Sequence, residues 1–464
     1  MALPIPVERQ REVVCLAASG HQVVLGTAGS GKTTMAVLRA AFLSDPEMPR
    51  HGRTLLLTYN KALCAYIRTI AAPELRHVTV EHYHKFARGY LASRDKMRRN
   101  SIAPKGPRER AIEAAIAEVK VNYKPHAFFD RPLNFFAAEI GWLEKHGVHS
   151  LDDYQSQDRI GRAEARLERA LRKPMWEIHE SYLRHRSALG YDYDFDDLAS
   201  AAIRELDVDN SLRRYKHIVV DEGQDFSPEM IRSLAKAIPR DGSITFFGDV
   251  AQQIYGHRMS WRSAGLNPLR VWQFTENYRN SREIAALGLA ISDMSYYAGV
   301  PDMVAPTSPV AAGPKPTLVQ IKDPANEVRF IANQATRLSR TQSVAILART
   351  VRQLDEIRSA LPSDVINLRS ESARWVAGPK LFIGTYHSAK GLEFDAVILP
   401  FLSDGQFPDP LAVADFGQAE AEASDGRLLY VGVTRAKTAL ILTYVGKQSV
   451  LLPSKEKLYT RVSQ

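Results

Sequence analysis

Short, unbroken apolar runs that end in glycine or a carboxylate punctuate the first half of the chain, at residues 22–26, 54–58, 217–222 and 243–249. Runs of this length without polar alternation predict strands buried on both faces, as in a parallel sheet covered by helices. Between them lie segments such as KTTMAVLRAAFL, with apolar residues every three or four positions, which predict helical crossovers. Four strands joined this way make one α/β core whose functional residues sit at the carboxyl ends of the strands. Residues 91–190 break the pattern: they are helical, Arg-rich and strand-poor, and read as a subdomain inserted between residues 1–90 and 191–270 of the first core. Residues 301–316 contain five prolines, too many for a helix or central strand, and predict a linker. The alternation then resumes with PTLVQI, NEVRFIANQATRL, SVAILA, KLFIGT, AVILPF and TALILTYV, so residues 271–464 form a second α/β core.

Composition narrows this picture only a little. The 464 residues exceed one ordinary core, and 45% apolar with 24% charged residues excludes wholesale disorder. Lys and Arg outnumber Asp and Glu by 61 to 52, which favours a polyanionic partner slightly. Cys15 and Cys64 lie in apolar stretches without a second ligand at metal-like spacing, and read as buried free thiols. Neither a signal-like start nor eighteen consecutive apolar residues occurs, so a cytoplasmic protein without a membrane partner is expected.

The chemistry starts at the first glycine-rich turn. Gly26, Thr27, Ala28, Gly29, Ser30, Gly31, Lys32 and Thr33 fit G-x-x-x-x-G-K-[ST] between a predicted strand and helix. Glycines let backbone N–H groups wrap phosphates, Lys32 can neutralise the β- and γ-phosphates, and the Thr33 hydroxyl suits Mg²⁺. ATP with Mg²⁺ is the expected ligand. Asp221 and Glu222 end a buried strand in two carboxylates, which is costly unless a cation or a reacting water uses them. Asp221 is read as a metal ligand and Glu222 as the base that polarises water.

The ordered segments DEGQD, GDVAQQIYGHR, ENYRNS, GTYHSAKGLEF and LLYVGVTRA, with TYNKAL and EHYHKF before them, resemble the successive motifs of UvrD/Rep-type superfamily 1 helicases across nearly the whole chain. That resemblance implies two RecA-like P-loop domains with ATP in the cleft between them, and movement along single-stranded DNA in the 3′ to 5′ direction. Carried over, it makes Gln10 the adenine reader, Tyr278 the base-stacking ring, Glu393 the ribose contact and Gln252 the γ-phosphate sensor. Arg279 and Arg435 become the arginines that the second domain offers to the γ-phosphate, a role that suits guanidinium groups because charge spreads over the transferred oxygens. The implied strand track comprises Tyr59, Asn60, Lys61, His84, Phe86, Tyr255, His257, Arg258, His387 and Ser388. Rings there could stack on bases of any identity.

Three positions depart from the family pattern. His257 stands where many relatives have Trp, with Trp261 near enough to compensate, and Thr34 stands where many have Arg, which removes a guanidinium from the base and loosens nucleotide selectivity. Gln253 replaces a commoner Ser without implied loss. Larger members also insert an accessory subdomain in the second core; here only residues 362–380 remain for it, enough for a hairpin or loop.

Two basic features fall outside the motifs. Arg159, Arg162, Arg166, Arg169 and Lys173 recur at steps of three and four, predicting a basic stripe on one helix, with a solvated face paired to Glu164 and Glu168 as the preferred reading. Residues 96–110 are basic and expected to form a loop; either feature could touch phosphates. An ATP-driven DNA helicase or translocase is therefore expected. A DNA-activated ATPase sensor that controls a partner nuclease, as in Gabija-type antiviral systems, is the alternative, and RNA binding and self-association stay open. A nucleotide kinase or small GTPase would leave the second core unexplained.

Overall fold

The computed structural model describes residues 5–6, 8–27, 29–159, 167–249, 261–262, 264–277, 279–295, 311–370 and 378–464. Two wholly parallel sheets organise the chain. The first contains β1 (Gly20–Gly26), β2 (Thr54–Thr58), β3 (Val78–His82), β4 (His217–Val220), β5 (Ser243–Asp249) and β6 (Pro268–Phe274), in the order β3-β2-β4-β5-β1-β6. β2, β4 and β5 are buried at every residue, as their continuous apolar runs require of strands covered on both faces. Two strands beyond the four expected, β3 and β6, flank the sheet. β3 carries a half-polar VTVEH and β6 carries Arg and Gln, which is why neither stands out as an apolar run. Because β6 pairs with β1, the first lobe runs to Phe274, past the expected boundary at residue 270.

The second sheet has the order β13-β7-β12-β11-β8-β10-β9, from β7 (Thr317–Ile321), β8 (Ser343–Ala348), β9 (Ile366–Asn367), β10 (Lys380–Thr385), β11 (Phe394–Leu399), β12 (Ala436–Val445) and β13 (Thr460–Ser463). This is the α/β class with two parallel sheets that RecA-like domains require. β9 is only two residues long and, as the edge strand, pairs parallel to β10, so the two are not a hairpin.

Between β3 and β4 the helices Lys105–Lys120, Leu133–His146 and Arg172–Ala188 pack around an aromatic core that includes Phe128, Phe136, Trp142, Tyr154, Trp176 and Tyr182. Residues 96–110 are therefore not all loop: from Lys105 they are helix, and the preceding turn is pinned by Ala103 N–H donating to Tyr193 O at 2.8 Å. The expected basic stripe is not one helix either. The helix Leu151–Ser156 ends before Arg159, whose guanidinium is buried on Glu139; Arg169 sits in a short 3-10 turn and Lys173 in the next helix. Arg162 and Arg166 lie outside the described residues. Arg159 was legible only as a surface cation because its partner Glu139 lies on a distant helix.

Candidate functional site: a cleft between two lobes

Sheet register sets the site. β1 and β5 end level, Gly26 opposite Asp249, while β4 stops three residues shorter with Val220 opposite Phe246, so the P-loop, the Asp221–Glu222 pair and Asp249 leave one edge together. The P-loop glycines have specific jobs. Gly29 and Gly31 take φ of 81° and 83°, which side chains with a Cβ resist, and a Cβ on Gly26 would strike the Ser30 Oγ at 2.3 Å. Lys32 Nζ folds back to donate to the Gly26 and Thr27 carbonyls at 2.9 and 2.7 Å, with Asp249 at 3.8 Å. Ser30 Oγ is buried without a hydrogen-bond partner. Thr27 instead turns away, its hydroxyl donating to Thr275 O.

Asp221 is fully buried, and neither carboxylate oxygen makes a hydrogen bond. Burial and the neighbouring Glu222 push its pKa well above the usual aspartate range, against the Thr33 hydroxyl and Lys32. Burial acts the same way on Glu222, but Lys32, Arg435 and the Gln224 amide outweigh it and hold Glu222 below its ordinary value. Glu222 also adopts φ of 52°, a left-handed conformation unusual for a residue with a side chain and common where function dictates the backbone. Gln224 ties the pair to the next strand, donating to Glu222 and accepting from Asp249 N–H at 2.9 Å.

The second lobe closes the cleft from the opposite side. Glu393 and Arg435 immediately precede β11 and β12, whose first residues Phe394 and Ala436 are paired in register. Arg435 is buried and donates through Nε to Val431 O at 3.0 Å; burial, with Arg279 alongside, lowers its pKa to about 10, so it stays charged at neutral pH. Arg279 donates to Glu393 Oε2 at 2.7 Å. Asn280 holds the two arginine-bearing segments together by donating to Thr434 O and Ala436 O at 3.2 and 2.5 Å. Lys32, Thr33, Glu222, Asp249, Arg279 and Arg435 consequently line one small cavity. An adjoining cavity of about 480 Å³ is lined by Gln10, Thr34, Tyr66, Arg279, Glu393 and Lys437. Gln10 Nε2 donates to Ser30 O there, 3.1 Å away.

These residues fit a nucleoside triphosphate and its cation. A fully buried aspartate without hydrogen bonds, beside a threonine hydroxyl, is the donor set expected where Mg²⁺ takes one carboxylate and completes its shell from phosphate and water. Among the described residues no cluster of three or more His, Cys, Asp or Glu could hold a metal by itself.

Family comparison gives the site its context. The UvrD/REP helicase N-terminal domain model matches residues 7–267, and the UvrD-like helicase C-terminal domain model matches residues 365–447. The chain belongs to the UvrD/REP helicase family. Its relatives include a putative ATP-dependent DNA helicase YjcD of Bacillus subtilis, 24% identical over 57% of this chain and 34% of that protein. DNA helicase II of Escherichia coli is 43% identical over 15% of this chain and 10% of its own length, and a probable DNA helicase II homolog of Rickettsia felis is 30% identical over 24% and 17%. The matched segments thus span about a third or less of the lengths of these relatives.

Away from the cleft, this UvrD-like chain sets further residues at the carboxyl ends of β2, β3 and β10. Tyr59 is 39% exposed, Lys61 is exposed, and Tyr59 meets His84 edge-on at 5.9 Å. His84 in turn meets Phe195 at 5.4 Å, an aromatic 51% exposed that the sequence reading missed inside the acidic YDYDFDD. Burial lowers the pKa of His84 to about 4, so the ring is neutral. Phe86 is a correction: it is buried in the first-lobe core and shows only an edge. Asn60 is another, since its amide Nδ2 donates to the Ser388 carbonyl at 3.0 Å and so joins the lobes. Asp225 and Lys390 form a second tie at 2.5 Å.

Trp261 packs edge-on against Phe246 at 5.3 Å, half-buried against the first-lobe core. Cys64 is buried as expected, whereas Cys15 is exposed at the end of the helix Glu8–Val14. Ala28, Gln252, Gln253, Tyr255, His257, Arg258 and Tyr278 lie outside the described residues. No described helix is long and apolar enough to cross a membrane.

Proposed function

We propose that this UvrD-like chain is an ATP-driven motor that moves along single-stranded DNA in the 3′ to 5′ direction, with residues 91–190 as its inserted subdomain. The observation that carries this reading is the convergence of Lys32, Thr33 and Glu222 from one lobe with Arg279 and Arg435 from the other on a single cleft. Residues split in this way can act together only when the lobes are closed, which is how hydrolysis becomes coupled to movement.

Bound ATP would draw Lys32 off the Gly26 and Thr27 carbonyls, since phosphate oxygens offer this cation a stronger partner. Mg²⁺ would be held by Asp221 and Thr33 and would supply charge neutralisation on the phosphates. Glu222, kept ionised by Lys32 and Arg435, accepts the proton of the attacking water. Arg435 and Arg279 stabilise negative charge on the transferred phosphoryl group, and hydrolysis then loosens the lobe contact. Gln10 and Glu393 receive the adenosine in the adjoining cavity. Tyr59, Lys61, His84, Phe195, His387 and Ser388 form the strand track, where neutral rings can stack on any base. ATPase titration against single-stranded DNA, duplex DNA and RNA tests the reading. Single-stranded DNA should give the largest stimulation and Glu222→Gln should abolish turnover while retaining nucleotide; ATPase indifferent to nucleic acid would reject it.

A further inference from the structure

A cavity of about 1190 Å³ opens on the first lobe beyond the aromatic ladder. Its walls are the helix Tyr83–Ser93, the turn that follows and residues 206–215. Eight lysines and arginines line it against two carboxylates, Glu81 and Asp209. Both carboxylates are already matched: Lys85 pairs with Glu81 at 2.9 Å, while Arg94, Arg213 and Tyr90 surround Asp209. The excess positive charge therefore falls on the other cations. Arg88, Arg98 and Arg99 are exposed, and their side chains make no hydrogen bond or ion pair among the described residues.

These three are held in place by backbone that is itself fixed. Arg88 projects from a helix, and the turn bearing Arg98 and Arg99 is closed by Arg98 N–H donating to Ser101 Oγ at 3.0 Å and by the Tyr193 hydroxyl donating to Lys96 O at 2.9 Å. With the backbone already fixed, a polyanion that binds here has only the arginine side chains left to order. Tyr59, His84 and Phe195 line the same cavity, so the groove continues directly from the ladder.

We propose that this groove is an extension of the strand track, in which Arg88, Arg98 and Arg99 hold backbone phosphates of single-stranded nucleic acid after its bases leave the aromatic ladder. The inference rests on the motor reading above. A single strand is favoured over a duplex or an acidic protein because the groove begins at exposed rings, which only unstacked bases can use.

Salt dependence separates this from a general basic surface. Each phosphate neutralised on a single strand contributes about 0.7 to the slope of log affinity against log salt. Losing three contacts should make the slope shallower by about 2, so the wild type should lose about 18-fold more affinity than the triple variant over a fourfold rise in salt. The experiment measures binding of thymidine homopolymers, from about 4 to about 20 nucleotides long, to the full chain and to R88A/R98A/R99A, with R88K/R98K/R99K as the charge-retaining control. Thermal unfolding checks that each variant is folded. The slope of the alanine variant should match wild type on the shortest strand and fall below it on the longest, with the lysine variant restoring it. Equal slopes on long strands, with binding otherwise intact, would overturn the groove while leaving the motor reading in place. A wild-type chain that binds no single strand would overturn both.

Discussion

Asp221→Asn should make the unliganded protein more stable while abolishing ATP turnover. The carboxylate is fully buried without a hydrogen bond, beside Glu222, and its pKa is raised from 3.8 to about 7. At about 1.4 kcal/mol per unit, that shift would correspond to roughly 4 kcal/mol against the charged form. A neutral amide in the same place stays poorly paired and gives back about 1–3 kcal/mol, so the net gain should be about 2 kcal/mol at neutral pH. For a lobe of ordinary size this is a rise of roughly 4–8 °C in unfolding temperature. The sign with pH follows from proton binding. Between the unfolded and folded pKa values the native state holds more protons, so wild-type stability should fall as pH rises from about 4 to about 7. Glu222 acts oppositely, but its pKa lies below 4.5 and its window is more acidic. Thermal unfolding from about pH 5 to about pH 7.5, with and without Mg·ATP, measures all of this. Wild type should lose stability across that range and regain it with Mg·ATP, whereas the variant should be flatter and respond weakly. A variant less stable than wild type at neutral pH would refute the account of Asp221 as a cation site held open at a cost.

Arg435→Ala should lower single-strand-stimulated ATPase by about 10³-fold or more with little change in strand affinity; steady-state rates and anisotropy check both. Lys390→Ala leaves Asp225 buried without its partner and should destabilise the closed lobes by about 3 kcal/mol, with D225A/K390A recovering part of the loss in thermal unfolding. Single-strand-stimulated ATPase should be intact in the isolated monomer, but processive opening of long duplexes should be absent, because residues 362–380 are too few for the subdomain that larger relatives insert there, and the described part of that segment before β10 holds only the short β9. Rapid-mixing unwinding under monomeric conditions decides this.

The sequence carried much of this site because its chemistry is local. A P-loop is eight consecutive residues at a strand end, and an apolar run that stops in Asp221–Glu222 announces both a strand and its use. Partnerships between distant segments were not legible. Arg159 looked like a surface charge until Glu139 came to it from another helix, and Asn60 looked like a strand contact although its amide reaches the Ser388 carbonyl. Phe195 was hidden because an exposed aromatic among aspartates has no periodicity to mark it; only its place against His84 shows its relation to the ladder. β3 and β6 escaped notice because edge strands keep polar residues.

The central claim is directional movement driven by ATP, and stopped-flow translocation on single-stranded DNA labelled at either end tests it most directly. With a fluorophore at the 5′ end, the signal should appear after a lag that lengthens with strand length, while a 3′ label should give none, and Arg435→Ala should abolish the lagged phase. Length-independent signals at both ends, or a lag found only with the 3′ label, would contradict a 3′ to 5′ motor.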